Sequence, residues 1–297
     1  MDPIIINPDV TAALAAGKPV VALESTVIAH GLPRPQNIET AQRLEQIARA
    51  EGATPATIAV LNGLFCVGLD WAKLEQIATG EDIKKLSVRD LAIAAARKWN
   101  GATTVASTMW VAHRAGIKVF ATGGIGGVHR GSLPDVSADL PELARTPMIV
   151  VCSGAKIVLD LPATREWLET NSVTVVGYDC DELPAFYSRR SGLTVDVRCD
   201  TPEEVAHLFA TQRQLDVRSA LLVTVPVPSE AEVEQSFLNE VLGDSLRQAE
   251  REKISGRDVT PFLLAQMSQR SDGATLRANI ALLENNARVA AQIAGGL

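Results

Sequence analysis

The sequence predicts an α/β fold: an α/β/α layered domain around a mostly parallel central sheet. Short apolar runs of strand length recur along the chain, at 19–23, 57–61, 117–121, 148–152, 173–176 and 220–225. Segments of helical period sit between them. The apolar runs are continuous rather than alternating, as strands covered on both faces require. At 297 residues, 46% of them hydrophobic and 21% charged, the chain can bury one large core. No repeat, low-complexity tract or linker interrupts it, so residues 1–297 are expected to form a single domain.

Each element has a local reason. The first run, 19–23, ends at Glu24 and reads as a buried strand. After a loop at 31–35, Ile38, Ala41, Leu44, Ile47 and Ala48 recur at helical spacing, and Gly52 stops that helix. The strand at 57–61 is closed by Asn62-Gly63. Ser87 and Asp90 form a capping-box pattern ahead of a helix over 91–99, with Asn100-Gly101 as its stop. Helices are expected at 104–115, 140–145 and 162–170. Thr201, Pro202 and Glu204 open another, with proline at its first position. Ser229 and Glu232 suggest a capping box opening a helix over 231–253, and two more follow at 261–269 and 275–294.

Charge and cysteine usage narrow the function classes. A net charge of −7 argues against broad nucleic-acid binding, which needs a surplus of Lys and Arg. It is compatible with a small phosphorylated ligand held in a locally positive pocket. The longest apolar stretches fall far short of a membrane span. Met1-Asp2-Pro3-Ile4 lacks the basic start and apolar run of a secretory signal, so a cytoplasmic protein is expected. Cys66, Cys152, Cys180 and Cys199 show no CxxC spacing and read as reduced thiols.

In parallel sheets, ligands bind where loops leave the carboxyl ends of strands. Those ends here are polar: Glu24-Ser25-Thr26, Thr122 with the following glycines and His129, and Ser153-Gly154-Ala155-Lys156. The glycine loop 123–127 fails the GxGxxG pattern, because His129 stands where glycine is needed, and no GxxxxGK[ST] occurs. Lys156 is flanked by apolar residues on both sides. A lysine so placed is partly desolvated and carries the free amine that a Schiff-base nucleophile needs. The alternative is a buried stem whose head reaches solvent or a carboxylate. Glu24 is a general acid/base or a capping acceptor. Asp135 and Asp139 flank Ser137, and one of them suits a hard cation completed by water, or else caps the helix at 140–145. Lys84, Lys85 and Arg89 form an anion pocket or a solvated face.

Several separated motifs, in order, carry a wider resemblance: ALESTVIAHGLP (22–33), NGATTVASTM (100–109), KVFATGGIGGVHRG (118–131), DVSADL (135–140), VVCSGAKIVLDL (150–161), GYDCDELPAFY (177–187), TPFLL (260–264) and NIALLENNA (279–287). From about Ala22 to the C-terminus the chain resembles the pseudouridine-5′-phosphate glycosidase family. The resemblance implies cleavage of the C–C glycosidic bond of pseudouridine 5′-phosphate to uracil and ribose 5-phosphate, reversibly. It implies an α/β/α homotrimer with one divalent ion, usually Mn²⁺, per subunit. Carried over by motif, Lys156 is the Schiff-base lysine, Glu24 the acid/base and Asp135 the metal ligand. Lys85, Val105, Ser137, Ala138 and Asp139 contact the substrate, and Thr122, His129 and Asn279 match polar positions of the pocket. Asp139 is also a candidate acid at the ribose ring oxygen.

One segment departs from the family pattern. Between His129 and Asp135 the chain reads HRGSLPD, two residues shorter than the usual HRGAE-x-TFD. That change bears on metal geometry or base specificity. It motivates a second reading, a C-ribosyl synthase acting on another aromatic acceptor. A third is a non-catalytic phosphosugar-binding protein, for which Lys156, Glu24 and Asp135 together have no use.

Overall fold

A computed structural model describes residues 3–131, 135–254 and 259–297. The amino-terminal half runs β1 (Ile4–Ile6), α1 (Pro8–Ala15), β2 (Val20–Leu23), a π-helical turn (Val27–Gly31), α2 (Gln36–Ala50), β3 (Thr54–Leu61), β4 (Leu64–Val67) and α3 (Trp71–Thr79). It continues through β5 (Lys84–Leu86), α4 (Val88–Arg97), β6 (Gly101–Thr103), α5 (Val105–Arg114), β7 (Val119–Ala121) and α6 (Asp139–Leu143). Then come β8 (Ile149–Cys152), α7 (Leu161–Thr170), β9 (Thr174–Tyr178), β10 (Val197–Cys199), α8 (Pro202–Gln214) and β11 (Leu221–Thr224). Three helices close the chain: α9 (Gln235–Arg251), α10 (Val259–Arg270) and α11 (Ala274–Gly295).

The strands form one mostly parallel sheet in the order β1-β4-β3-β2-β7-β8-β11-β9-β10, with β6 on β3 and β5 on β6. Every residue of β2, β7, β8 and β11 is buried. Successive side chains point to opposite faces, so these central strands are covered on both sides. Helix α11 packs on β2, β7 and β8 with α2 and α8 beside it, while α5 packs on β2, β3, β4 and β6. The α/β class and its parallel sheet follow the sequence expectation. The antiparallel pairs β3–β4 and β3–β6 are additions to it.

Those additions shape the site. Asn62 (φ 50°) and Gly63 (φ 78°) both take left-handed conformations and turn β3 straight into β4, as an Asn-Gly hairpin does. On the other edge of β3, β2 pairs with residues 54–57 and β6 with residues 59–60, in opposite senses. Their carboxyl ends therefore meet head to head beside Ile58. The Ser25 and Thr103 hydroxyls each donate to the Ile58 carbonyl at 2.7 Å, and the Thr103 N–H donates to Ser25 Oγ at 2.9 Å. The loop after β2 and the helix starts after β5 and β6 consequently face one another across a gap.

Some boundaries differ from the sequence reading. Helix α4 ends at Arg97 with Lys98 capping it in the left-handed region (φ 53°), short of Asn100-Gly101, because Gly101 begins β6. Ser229 does not cap the long helix: Ser229–Ala231 is a 3₁₀ turn, and α9 starts at Gln235 under the Glu234 carboxylate, which accepts the Ser236 and Phe237 N–H groups. Thr201 and Pro202 do open α8, with the Thr201 hydroxyl accepting the Glu204 N–H.

Candidate active site

A cavity of about 680 Å³ fills the gap at the head-to-head junction. One wall consists of the neighbouring carboxyl ends of β2, β7 and β8, which bring Glu24, Gly123, Gly124 and Lys156 together. The facing wall comes from β5 and β6 and the helices they feed: Lys85, Ser87, Val88, Arg89, Thr104 and Val105. Two helix N-termini, those of α4 and α5, thus open onto the same space, a setting that favours an anion. Val105 is buried in the core, so the group it can offer a ligand is its backbone N–H in the first turn of α5.

The glycine loop after β7 is locked against the loop after β8. The Ile125 N–H donates to the Gly154 carbonyl at 3.1 Å, and the Lys156 N–H returns to the Ile125 carbonyl at 3.1 Å. The Lys156 amine donates to the Gly124 carbonyl at 2.6 Å. Lys156 is half-buried and makes no ion pair among the described residues, so its head is held in the cavity by a neutral acceptor rather than a carboxylate. Gly126 permits a close approach: a Cβ there would lie 2.1 Å from Ser137 Oγ and 2.7 Å from Asp139 Oδ2. Asn286 on α11 completes the lock, donating to the Thr122 carbonyl at 2.9 Å and to Ser153 Oγ at 3.1 Å.

Glu24 is buried, 8% exposed, and the Thr122 hydroxyl donates to its Oε1. Burial pushes the Glu24 carboxyl above the usual carboxylate range, an effect opposed by the Lys156 charge and by the Thr122 hydrogen bond. The result is an acid that keeps its proton to higher pH beside an amine. Asp139 is equally enclosed, 6% exposed, and is the first residue of α6. Its Oδ1 accepts the Ala106 N–H of α5 at 2.9 Å and its Oδ2 accepts the Gly126 N–H at 2.8 Å. It ties the facing walls together instead of capping its own helix.

Of the residues singled out from sequence, Glu24, Lys85, Val105, His129, Asp135, Ser137, Ala138, Asp139, Lys156 and Asn279 all line the cavity. Thr122 does not: it lies behind Glu24, 2% exposed, with its hydroxyl on that carboxyl. The basic cluster divides. Lys85 and Arg89 face the cavity, whereas Lys84 pairs with Asp82 at 2.6 Å and lies 5.7 Å over the Trp99 ring. The shortened segment's Ser132, Leu133 and Pro134 lie outside the described residues. Thr26, read from sequence as part of a polar strand end, lines the cavity, while sequence reasoning missed His30 on the π-helical turn and Phe186, whose ring lies against Gly124. The signal was present in the polar residues that follow β2, but the stretch after Thr26 reads as a plain loop.

Asp135 tests the expected metal site. It is exposed within the cavity, its carbonyl accepts the His129 N–H at 2.8 Å, and its carboxylate accepts no hydrogen bond among the described residues. No group of three or more His, Cys, Asp or Glu side chains gathers around it among the described residues. The donors fit a hard cation anchored by one carboxylate with water completing the shell, and do not fit a caged ion.

Similar proteins match this chain over nearly their whole length. A protein of Geobacillus kaustophilus named pseudouridine-5′-phosphate glycosidase is 50% identical over 99% of this chain and 98% of its own. One of the same name from Herpetosiphon aurantiacus is 52% identical over 100% and 99%. Among solved structures, the prealnumycin C-glycosynthase AlnA in complex with ribulose 5-phosphate superimposes with a TM-score of 0.91 at 38% identity, covering 99% of this chain and 96% of its own. An indigoidine synthase A-like protein from Thermotoga maritima gives 0.90 at 38% identity, over 98% and 95%. Residues 9–296 match the family described as indigoidine synthase A like protein, and the chain belongs to that family.

Proposed function

We propose that this protein is a pseudouridine-5′-phosphate glycosidase, which releases uracil and ribose 5-phosphate by breaking a C–C bond with water. The observation that carries the reading is the pairing of a cavity-held amine, Lys156, with a shielded carboxyl, Glu24, at the ends of strands separated only by β7. A C-glycoside offers no exocyclic oxygen or nitrogen whose protonation frees the base, so a binding site alone would not need this pair. The identities near 50% to proteins named for this activity support it over the synthase reading, whose named structural relative is 38% identical.

The chemistry balances on these residues. The Lys156 amine attacks C1′, the bond from C1′ to the ring oxygen breaks, and the proton shed by the attacking nitrogen passes to that oxygen, leaving a hydroxyl and a neutral amine on C1′. The lysine nitrogen then pushes its electron pair toward C1′ as the bond to uracil C5 breaks. Glu24 delivers its proton to C5, releasing uracil and leaving a cationic imine on Lys156. Water adds to the imine carbon and the C–N bond breaks, giving ribose 5-phosphate and free lysine. The backbone N–H groups at the starts of α4 and α5, with Arg89, suit the 5′-phosphate. Asp135, with water, would hold a divalent ion such as Mn²⁺, which would supply positive charge beside the substrate. Residues 137–139 lie on the wall between that carboxylate and α5.

Borohydride reduction in the presence of ribose 5-phosphate tests the covalent step. The expected product is a stable adduct on Lys156, located by peptide mass. Turnover of pseudouridine 5′-phosphate without any trappable adduct would remove the covalent mechanism. An adduct without turnover, but with coupling to another aromatic acceptor, would favour the synthase reading.

A further inference from the structure

Three residues that line the cavity, Thr26, His30 and Ser87, each carry a buried side-chain atom without a partner, and two of them share the turn after β2. Thr26 Oγ1 and His30 Nε2 are both shielded from solvent and make no hydrogen bond among the described residues. They stand four residues apart around the π-helical turn after β2, a spacing that puts both on one side of such a turn, and both line the cavity. A π-turn is costly backbone that persists mostly at functional sites. An unpartnered buried polar atom carries a similar cost until a ligand meets it.

The chemistry of His30 is fixed by its other contacts. Its ring bonds the backbone of Ile83, in the manner of an N–H given to a carbonyl, which leaves Nε2 as the bare acceptor. Burial and the nearby Lys85 charge both push the imidazole toward its neutral form. A neutral acceptor repels a phosphate oxygen and awaits a donor N–H or O–H. Beside it stand two donors, the Lys85 ammonium and the Thr26 hydroxyl. The wall therefore offers one acceptor and two donors. The imide edge of uracil, a carbonyl, an N–H and a second carbonyl, presents the complement.

We propose that His30 Nε2 accepts the imide N–H of the uracil ring, with Lys85 and Thr26 donating to its flanking carbonyls, so that the π-helical turn is the base-reading element of the site. This deepens the glycosidase reading and rests on it. Position agrees: Lys85 acts electrostatically on both Glu24, which must reach C5 of the base, and His30. A base lying past Glu24 along this wall would meet His30 with its far edge. Cytosine, with a bare ring nitrogen and an amino group on that edge, is mismatched at two positions.

The reverse reaction tests the assignment, with ribose 5-phosphate coupled to uracil or to 3-methyluracil, which lacks the imide N–H. Wild-type protein should prefer uracil by about 100-fold or more in kcat/KM, since a site built to accept an N–H rejects the analogue without it. Equal use of the two bases by wild type overturns the proposal with no variant needed. His30→Ala should raise the KM for uracil by about tenfold, the scale of one hydrogen bond, and bring the two bases within about threefold of each other. The KM for ribose 5-phosphate and borohydride trapping on Lys156 should be unchanged. His30→Gln, which retains an acceptor oxygen, should recover part of the preference. A preference that survives His30→Ala overturns the assignment, and so does an effect falling on ribose 5-phosphate, which would place the contact on a sugar hydroxyl. Failure of wild type to couple either base while still forming the adduct would instead sink the glycosidase reading on which this depends.

Discussion

Thr122 donates its hydroxyl hydrogen to the Glu24 carboxyl across the paired carboxyl ends of β2 and β7. A bond to a carboxylate favours the ionised form, so Thr122 restrains the upward push that burial gives Glu24. Thr122→Val removes the donor at nearly constant volume. The Glu24 proton should then be held to still higher pH, and the alkaline limb of the kcat/KM profile should move upward. The plateau should fall by no more than about tenfold, because the carboxyl itself stays in place. A limb that does not move would mean that Glu24 is not the acid it reports.

The same carboxyl makes the fold pH-dependent in a direction opposite to that of most carboxylates. Its folded pKa lies above the ordinary 4.5, so the folded state binds the proton more tightly than the unfolded chain. Stability therefore falls as pH rises from the ordinary value through the raised one. Glu24→Gln cannot ionise, and its Tm should exceed that of wild type at pH 8, with the gap closing toward pH 4. Turnover should drop by about 10²–10⁴-fold, the usual contribution of a positioned acid. A Gln variant that is less stable than wild type at pH 8 would show that the contacts of Glu24 with Lys156 and Thr122 outweigh its burial.

Lys156→Ala should abolish turnover and borohydride trapping together while leaving ribose 5-phosphate binding measurable by calorimetry. The groups proposed for the phosphate belong to the starts of α4 and α5, elements to which the Lys156 amine makes no hydrogen bond. The bond lost from the Gly124 carbonyl is at the cavity surface, where water replaces it. Residual turnover above a few per cent of wild type would shift the nucleophile elsewhere.

A cation anchored by a single carboxylate should be sensitive to that carboxylate alone. Asp135→Ala is expected to leave added Mn²⁺ free, read by the solution EPR signal of the hydrated ion, at concentrations where wild type removes it. Unchanged Mn²⁺ uptake by the Asp135→Ala variant would assign the ion to another part of the cavity.

The central strands were legible because burial on both faces leaves an uninterrupted apolar run, as in 148–152 and 220–225. Glu24 was legible because it follows such a run directly, and Lys156 because it follows one after the three small residues 153–155. The head-to-head junction was not. Residues 101–103 are three buried small residues with no apolar period, and their strand exists because Ser25 and Thr103 meet at Ile58, a contact between distant parts of the chain. The π-helical turn at Val27–Gly31 escaped for a similar reason. Its backbone is set by packing on α2 and α3, and local propensity favours no such turn. Thr122 was placed on the right rim but one layer too far forward, since sequence spacing does not say which polar residue faces the ligand and which supports its neighbour.

Asp139 holds the two walls of the cavity together, and that makes it a stability residue as much as a ligand contact. Its two oxygens accept one N–H from α5 and one from the glycine loop. Asn offers a single acceptor oxygen of the same shape, and its amino group would face the other N–H donor. Asp139→Asn should therefore cost about 2–3 kcal/mol in urea unfolding, the scale of a buried donor left without its charged acceptor. It should also raise the KM for ribose 5-phosphate as the start of α5 drifts. Gly126→Ala should cost at least as much, because the new Cβ would lie 2.1 Å from Ser137 Oγ. The same Cβ would lie 2.7 Å from Asp139 Oδ2, so the two changes disrupt one contact. Their double variant should be less destabilised than the sum of the singles, by about 0.5 kcal/mol or more. Strict additivity, or an Asp139→Asn variant as stable as wild type, would show that the walls are held apart from this carboxylate.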